Sequence, residues 1–315
     1  MVSVDALSHA YDACITGCAL VDRSEHGKLL LTGEEAAAFL DGQVSNEIAS
    51  LETGHGRYAT LLTNKGRMLG DLRVIHTESD PGGLLLLCER GALQALFDQI
   101  RRGLIGWKAE LHKRTLELGL LSLIGPRADA VAAVAGLPIP GPEEHDVAGP
   151  VVRTDVGLDV LPPADQVRHV HDALLAAGAV EATEAAAEIV RVERGRPRYG
   201  ADLDETVMPE EAGIVDRAVS FTKGCYVGQE TVARLHWKGK PNRRLRLLRP
   251  FAPVAAGDTV IAADGREVGH VGSAVVSPRL GPLALAILRV EVEPGVQVAV
   301  GADRIAAEVA VAEPQ

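Results

Sequence analysis

Beyond Pro241 the chain breaks into six short β-forming runs, at residues 244–248, 258–262, 266–276, 283–290, 297–300 and 305–311, with turn signals between them. Asp264-Gly265 is one such signal, a pair that favours a tight hairpin. Runs this short cannot stand alone. Antiparallel closure into a small barrel pairs every strand edge. Residues 241–315 are therefore expected to form a C-terminal β-barrel, with Pro241 at the boundary.

Ahead of that boundary the pattern changes. Alternating strands at 58–63 and 68–76 are joined by Asn64, Lys65, Gly66 and Arg67, a hairpin-like turn. Residues 84–88 read as a buried strand, and Leu93, Leu96, Phe97, Ile100 and Leu104 follow helical spacing. A strand at 116–124 precedes a helix opened by Pro126 and closed by Gly136. A hairpin at 151–155 and 158–161 precedes a helix capped by Asp165 and stopped by Gly178. Nearer the start, strands are expected at 17–22 and 28–31. Thr32 and Glu35 read as a capping box for a short helix ending near Gly42. Strands alternating with helices, several joined by hairpins, indicate an α+β class rather than a doubly wound sheet. Residues 1–240 are expected to be one α+β region built as two interleaved subdomains.

With 315 residues, 47% of them apolar, the chain can bury cores for two or three domains. A net charge of −11 argues against general binding of duplex nucleic acid. The acidity is uneven. Between 223 and 249 the basic side chains face Glu230 alone, a local balance of +7 that can attract an anionic partner. Cys14, Cys18, Cys88 and Cys225 include no C-x-x-C pair and no set at metal-ligand spacing. Reduced thiols and no resident metal are expected. The N-terminus lacks a basic stretch followed by an apolar run, and the longest aliphatic stretch, 84–87, is far too short to cross a bilayer. These features predict a cytoplasmic protein without a membrane partner.

The densest chemistry lies at Lys223-Gly-Cys-Tyr-Val-Gly-Gln-Glu230, followed by Arg234. Gly224 can serve as a turn into a helix running to residue 235. Cys225 would then occupy the first helical turn, where unpaired N–H groups and the Lys223 ammonium favour thiolate. Gln229 would share its face, and Glu230 with Arg234 would form an i,i+4 ion pair. Read alone, a single cysteine is more often a small buried hydrophobe.

This stretch resembles the signature of the YgfZ family. These are folate-binding proteins of the aminomethyltransferase (glycine-cleavage T-protein) superfamily linked to iron–sulfur cluster maintenance. The resemblance runs from the helix after Thr32 to the barrel. It implies aminomethyltransferase-like folate-binding domains of mixed sheets and helices, followed by the barrel. Arg191, Glu193 and Gly195, followed by Tyr199, Gly200 and Asp202, resemble the T-protein segment whose glutamate holds the pterin. Glu193 takes that role by resemblance, with Arg191 and Tyr199 as supporting wall. A carboxylate suits it, because it accepts side by side the two donors of a pterin edge. Residues 66–72 are similar to the stretch in which two adjacent aspartates approach the folate N10 nitrogen. Here Gly70 stands for the first and only Asp71 remains, which argues against T-protein-type methylene transfer. Asn46 falls in the stretch beside the folate channel. Lys223, Gln229 and Arg234 complete the set around Cys225.

The resemblance implies a protein that binds tetrahydrofolate or a one-carbon derivative. It would support iron–sulfur cluster assembly or repair, and through client enzymes tRNA modification. Cys225 would act as a persulfide, a cluster ligand or a nucleophile. One thiolate cannot complete a cluster, so any transient cluster would be shared with an assembly or client protein. Two other classes compete. An active aminomethyl transferase would depend on Asp71, and a folate-responsive regulator would depend on Glu193 without needing the thiol.

Overall fold

A computed structural model describes residues 4–77 and 83–311. The chain divides into two compact units. The first takes Met1–Leu62, Leu69–Ala187 and Arg217–Val227; the second takes Thr63–Met68, Glu188–Asp216 and Gly228–Gln315.

The first unit carries two sheets. One is five-stranded, in the order Gly56–Leu62, Met68–Thr77, Gly83–Cys88, Gly27–Thr32, Glu110–Lys113. Its central strands are leucine runs buried along nearly their whole length, with Leu29 opposite Leu86 and Leu31 opposite Leu84. The helix Leu93–Gly103 buries Leu93, Leu96 and Ile100, the stripe that the spacing predicts. The other sheet is six-stranded, in the order Val180–Glu181, Ala19–Asp22, Leu121–Ile124, Gly157–Val160, Val151–Thr154, Val147–Ala148. Leu20, Leu123 and Leu158 of this sheet pack with Val131 and Leu174 from two helices. A further cluster joins the sheets, with Leu30, Ile75 and Leu85 of one against Leu120, Val152 and Leu161. Buried Asp159 supports the same junction by accepting from Ser122 Oγ at 2.6 Å and from Arg73.

The second unit is dominated by a closed barrel of six strands. Their order is Arg243–Pro250, Gly281–Arg289, Glu267–Ser277, Thr259–Ile261, Gln297–Val300, Ile305–Ala310. Leu248, Val260, Ala284, Leu288, Val300 and Val309 are 0% exposed and form its dry interior. The α+β class and the closing barrel are as read from the sequence.

Several local expectations do not hold. Residues 4–16 form a helix, Val4–Thr16, where no element is expected. Its buried side is made of Ala10, Tyr11, Ala13 and Cys14, three of them small, so the apolar stripe is faint. Thr32 ends a strand rather than capping a helix, and the helix Ala36–Asp41 begins after Glu35 with no side-chain cap. Glu35 instead accepts from the Lys108 amide at 2.6 Å. The strand expected at 116–124 is only Leu121–Ile124, and the next helix is Ala128–Val134. Asp165 lies within a 3-10 turn, Ala164–Gln166, and caps nothing. Among the described residues no helix is long and apolar enough to cross a membrane.

Candidate functional site

The segment bearing Cys225 is not helical. The helix runs Gln229–Lys238, and its N-cap is Gly228 at φ 86°, a left-handed angle that glycine alone takes without strain. Cys225 therefore lies ahead of the helix, and the helix-terminus argument for its thiolate fails. Gln229 opens that helix and shares no helix face with Cys225. No ion pair joins Glu230 to Arg234, which is exposed. Lys223 is also not a free ammonium beside the thiol. Its Nζ is buried and donates to the carbonyls of Asp41, Val44 at 3.1 Å and Asn46 at 2.9 Å, with the Asp41 carboxylate at 3.2 Å. Burial pushes its pKa down despite Asp41.

These bonds clamp residues 220–227 along residues 41–46. The Ser220 amide donates to the Ser45 carbonyl at 2.9 Å, and Val227 to Gly42 at 3.3 Å. Tyr226 is buried, with its ring centroid 5.4 Å from the Lys223 ammonium. Burial raises its hydroxyl to about 12. Cys225, between these anchors, is exposed, whereas Cys14, Cys18 and Cys88 are buried.

Asp71 lies on Met68–Thr77 and accepts from the Tyr58 hydroxyl at 2.6 Å. Burial raises its pKa, opposed by the Tyr58 bond and by Arg217. The Arg217 guanidinium stands 5.1 Å from the Tyr58 ring centroid and is held by Glu144 at 2.5 Å. Asn46 links this group to the clamp. Its Nδ2 donates to the carbonyls of Tyr58 at 2.9 Å and Arg217 at 3.0 Å, while its own carbonyl receives Lys223. The structure thus brings Asp71, Asn46 and Lys223 into one hydrogen-bonded network. Tyr58, Asp41 and Arg217 join them without having been singled out from the sequence. Gly70 faces the other way along the strand. A Cβ there would meet Ala92 at 3.0 Å and Leu96 at 3.1 Å, so a second aspartate would be tight and would need those side chains to give way.

The remaining residues lie in the second unit. Glu193 ends the helix Glu184–Glu193, and Gly195 at φ 62° turns the chain out of it. The Glu193 side chain is 4% exposed. It accepts from Ser277 Oγ and from Arg279 at 3.2 Å, both contributed by the barrel. Arg191 is more structural than expected. It binds Glu188 through two nitrogens, Asp202 at 2.8 Å, Ser273 at 2.5 Å and the Arg196 carbonyl. Tyr199 is half-buried and bridges to Leu203.

Residues 3–138 match the GCVT N-terminal domain, and residues 243–315 match the glycine cleavage T-protein C-terminal barrel domain. A chloroplastic protein of Arabidopsis thaliana, named as a candidate transferase, is 28% identical over 285 residues. The match takes in 86% of this chain and 65% of that protein, so the chain spans less than two thirds of that relative's length. An aminomethyltransferase of Geobacillus kaustophilus is 25% identical over 92% of this chain and 84% of its own length. One from Frankia alni is 29% identical over 83% and 75%. The crystal structure of the glycine cleavage system aminomethyltransferase T from Bartonella henselae superposes with a TM-score of 0.87. That match covers 96% of this chain and 88% of the other at 24% identity, a likeness of fold.

Proposed function

From a GCVT domain match at one end and a T-protein barrel match at the other, we propose that the chain is a member of the aminomethyltransferase superfamily. From that premise we propose that it is a tetrahydrofolate-binding protein that supports assembly or repair of iron–sulfur clusters through Cys225. The observation that carries this reading is the exposed thiol on a segment clamped at Ser220, Lys223 and Val227. A rigid, accessible nucleophile is what sulfur or cluster transfer to a client requires. Glu193, buried and already oriented by Ser277 and Arg279, would receive the pterin donors. Bound tetrahydrofolate supplies a nitrogen able to carry a one-carbon unit. Asp71, whose pKa burial raises, would sit toward that end of the ligand. The described residues contain no group of three or more His, Cys, Asp or Glu placed to hold a metal. Any cluster would therefore need ligands from a partner protein. A cytoplasmic setting and a boundary at Pro241 belong to the same proposal.

A second reading is an active one-carbon transferase. The raised pKa of Asp71 favours it, and the glycine at position 70, packed tightly against Ala92 and Leu96 where an aspartate pair would need a side chain, weighs against it. Tetrahydrofolate titrations and a cellular assay of an iron–sulfur enzyme separate the two. Glu193→Gln should weaken folate binding about tenfold, the worth of a lost charged hydrogen bond. Cys225→Ser should bind folate normally and abolish support of the client enzyme. Full support by Cys225→Ser, with loss on Asp71→Asn, would transfer the case to the transferase. Loss only on Glu193→Gln would leave a folate-responsive regulator.

A further inference from the structure

A groove of about 690 Å³ lies along the Glu267 end of the strand Glu267–Ser277. Its walls come from Arg67, the segment 201–207, Glu211 and the strand ends at Arg243 and Arg289. Glu193 is held at Ser277, the opposite end of that strand. That is roughly 17 Å along the strand from Gly272, so the groove is separate from the place proposed for the pterin. A Cβ on Gly272 would lie 2.6 Å from Asp202 Oδ1, so only glycine lets the 201–202 segment close down as the groove's side.

Three guanidinium groups converge here. Arg67 and Arg243 both donate to the Thr206 carbonyl, and Arg243 stands opposite Arg289 in the barrel ladder. Like charges this close repel unless something negative lies between them. Most of the lining carboxylate oxygens have local partners, although buried Asp202 Oδ1 has no hydrogen-bond partner among the described residues. Glu211 takes two hydrogen bonds of 3.0 Å from Arg243. Asp204 accepts from the Thr206 amide and hydroxyl, both at 2.7 Å. Asp202 accepts from Arg191 at 2.8 Å and the Arg198 amide at 3.0 Å. Glu267 lies 3.5 Å from His270 Nε2. Among the described residues neither Arg67 nor Arg289 has an ion-pair partner, and both are exposed.

We infer that this groove binds a polyanion whose phosphate or carboxylate groups bridge Arg67 and Arg289, with Arg243 as a fixed third wall. The guanidinium fork is matched to both kinds of group, and the volume accommodates a ligand with several of them.

The test is calorimetric titration of the full chain with pyrophosphate and with citrate, at low and at physiological salt. Arg67→Gln and Arg289→Gln should each weaken binding about tenfold, as loss of a bidentate charged contact does. Arg266→Gln makes the same charge change on the barrel beside Asp264 and Glu291, and should alter it less than about twofold. Arg289 is exposed and without an ion-pair partner, so that variant should keep the wild-type Tm and remain a valid test if Arg67→Gln does not. Tighter pyrophosphate assigns a phosphate ligand, and tighter citrate a polycarboxylate. Binding of neither at millimolar concentration overturns the inference. So does an Arg266→Gln loss as large as the others, which would mean that only net charge matters.

Discussion

Cys225 differs from the other thiols in its exposure. Burial pushes Cys14 to about 11, and Cys18 and Cys88 to about 12. Thiolate is the species that alkylates. Native protein treated with iodoacetamide near pH 8 should therefore gain one adduct, at Cys225, and four after unfolding, as intact mass will show. Further native adducts at a similar rate would mean that the buried thiols open readily. Asp71 makes a second prediction. Its folded pKa lies above the ordinary 3.8. Between 3.8 and that value the folded state holds a proton that the unfolded chain has lost, so stability falls as pH rises through the window and stays lower above it. Asp71→Asn removes the penalty. It should raise Tm at pH 7, and the gain should vanish near pH 3. A lower Tm at pH 7 would show that the bond to Tyr58 outweighs desolvation. The sequence names Asp71 and Lys223 but not Tyr58 or Asp41. A tyrosine in an alternating strand looks like core, and Asp41 meets Lys223 only through folding.

At the scale of elements, the leucine strands, the helix Leu93–Gly103 and the barrel were legible because each repeats one period over enough residues to be decisive. Short elements were not. The stretch after Lys223 offers two glycines, and either can start a helix. Tertiary contacts choose Gly228, because Lys223 and Val227 are already bonded to residues 41–46. The ammonium thus serves as a buried fastener and not as an activator of Cys225. Lys223→Met tests this. It leaves three carbonyls without the Lys223 donor and the Asp41 carboxylate with only the Ile48 and Ala49 amides, and breaking such a buried pair costs about 3–5 kcal/mol. Urea midpoints should fall accordingly. A loss under about 1 kcal/mol, together with slowed alkylation of Cys225, would return Lys223 to the role expected from the sequence.

For the whole molecule, the weak point under acid should be the first unit, which holds buried His145 and half-buried His26, both with lowered pKa. Burial lowers His26 to about 4 and His145 to about 3, against an ordinary 6.5. As pH falls below 6.5 the unfolded chain takes up protons that the folded chain refuses. Stability is therefore fully present above 6.5 and is lost progressively down to the folded values. For His145, 6% exposed, the loss between pH 6.5 and 4.5 can reach ~3 kcal/mol at about 1.4 kcal/mol per unit. Its backbone sits at φ 74°, and its Nδ1 has no hydrogen-bond partner among the described residues. Asparagine tolerates that backbone and does not titrate. His145→Asn should thus flatten the fall in urea midpoint between pH 7 and 4.5, with the gap from wild type widening as pH drops. Parallel curves would mean that other groups, such as His26 or the carboxylates bound by Arg23 and Arg73, govern acid unfolding.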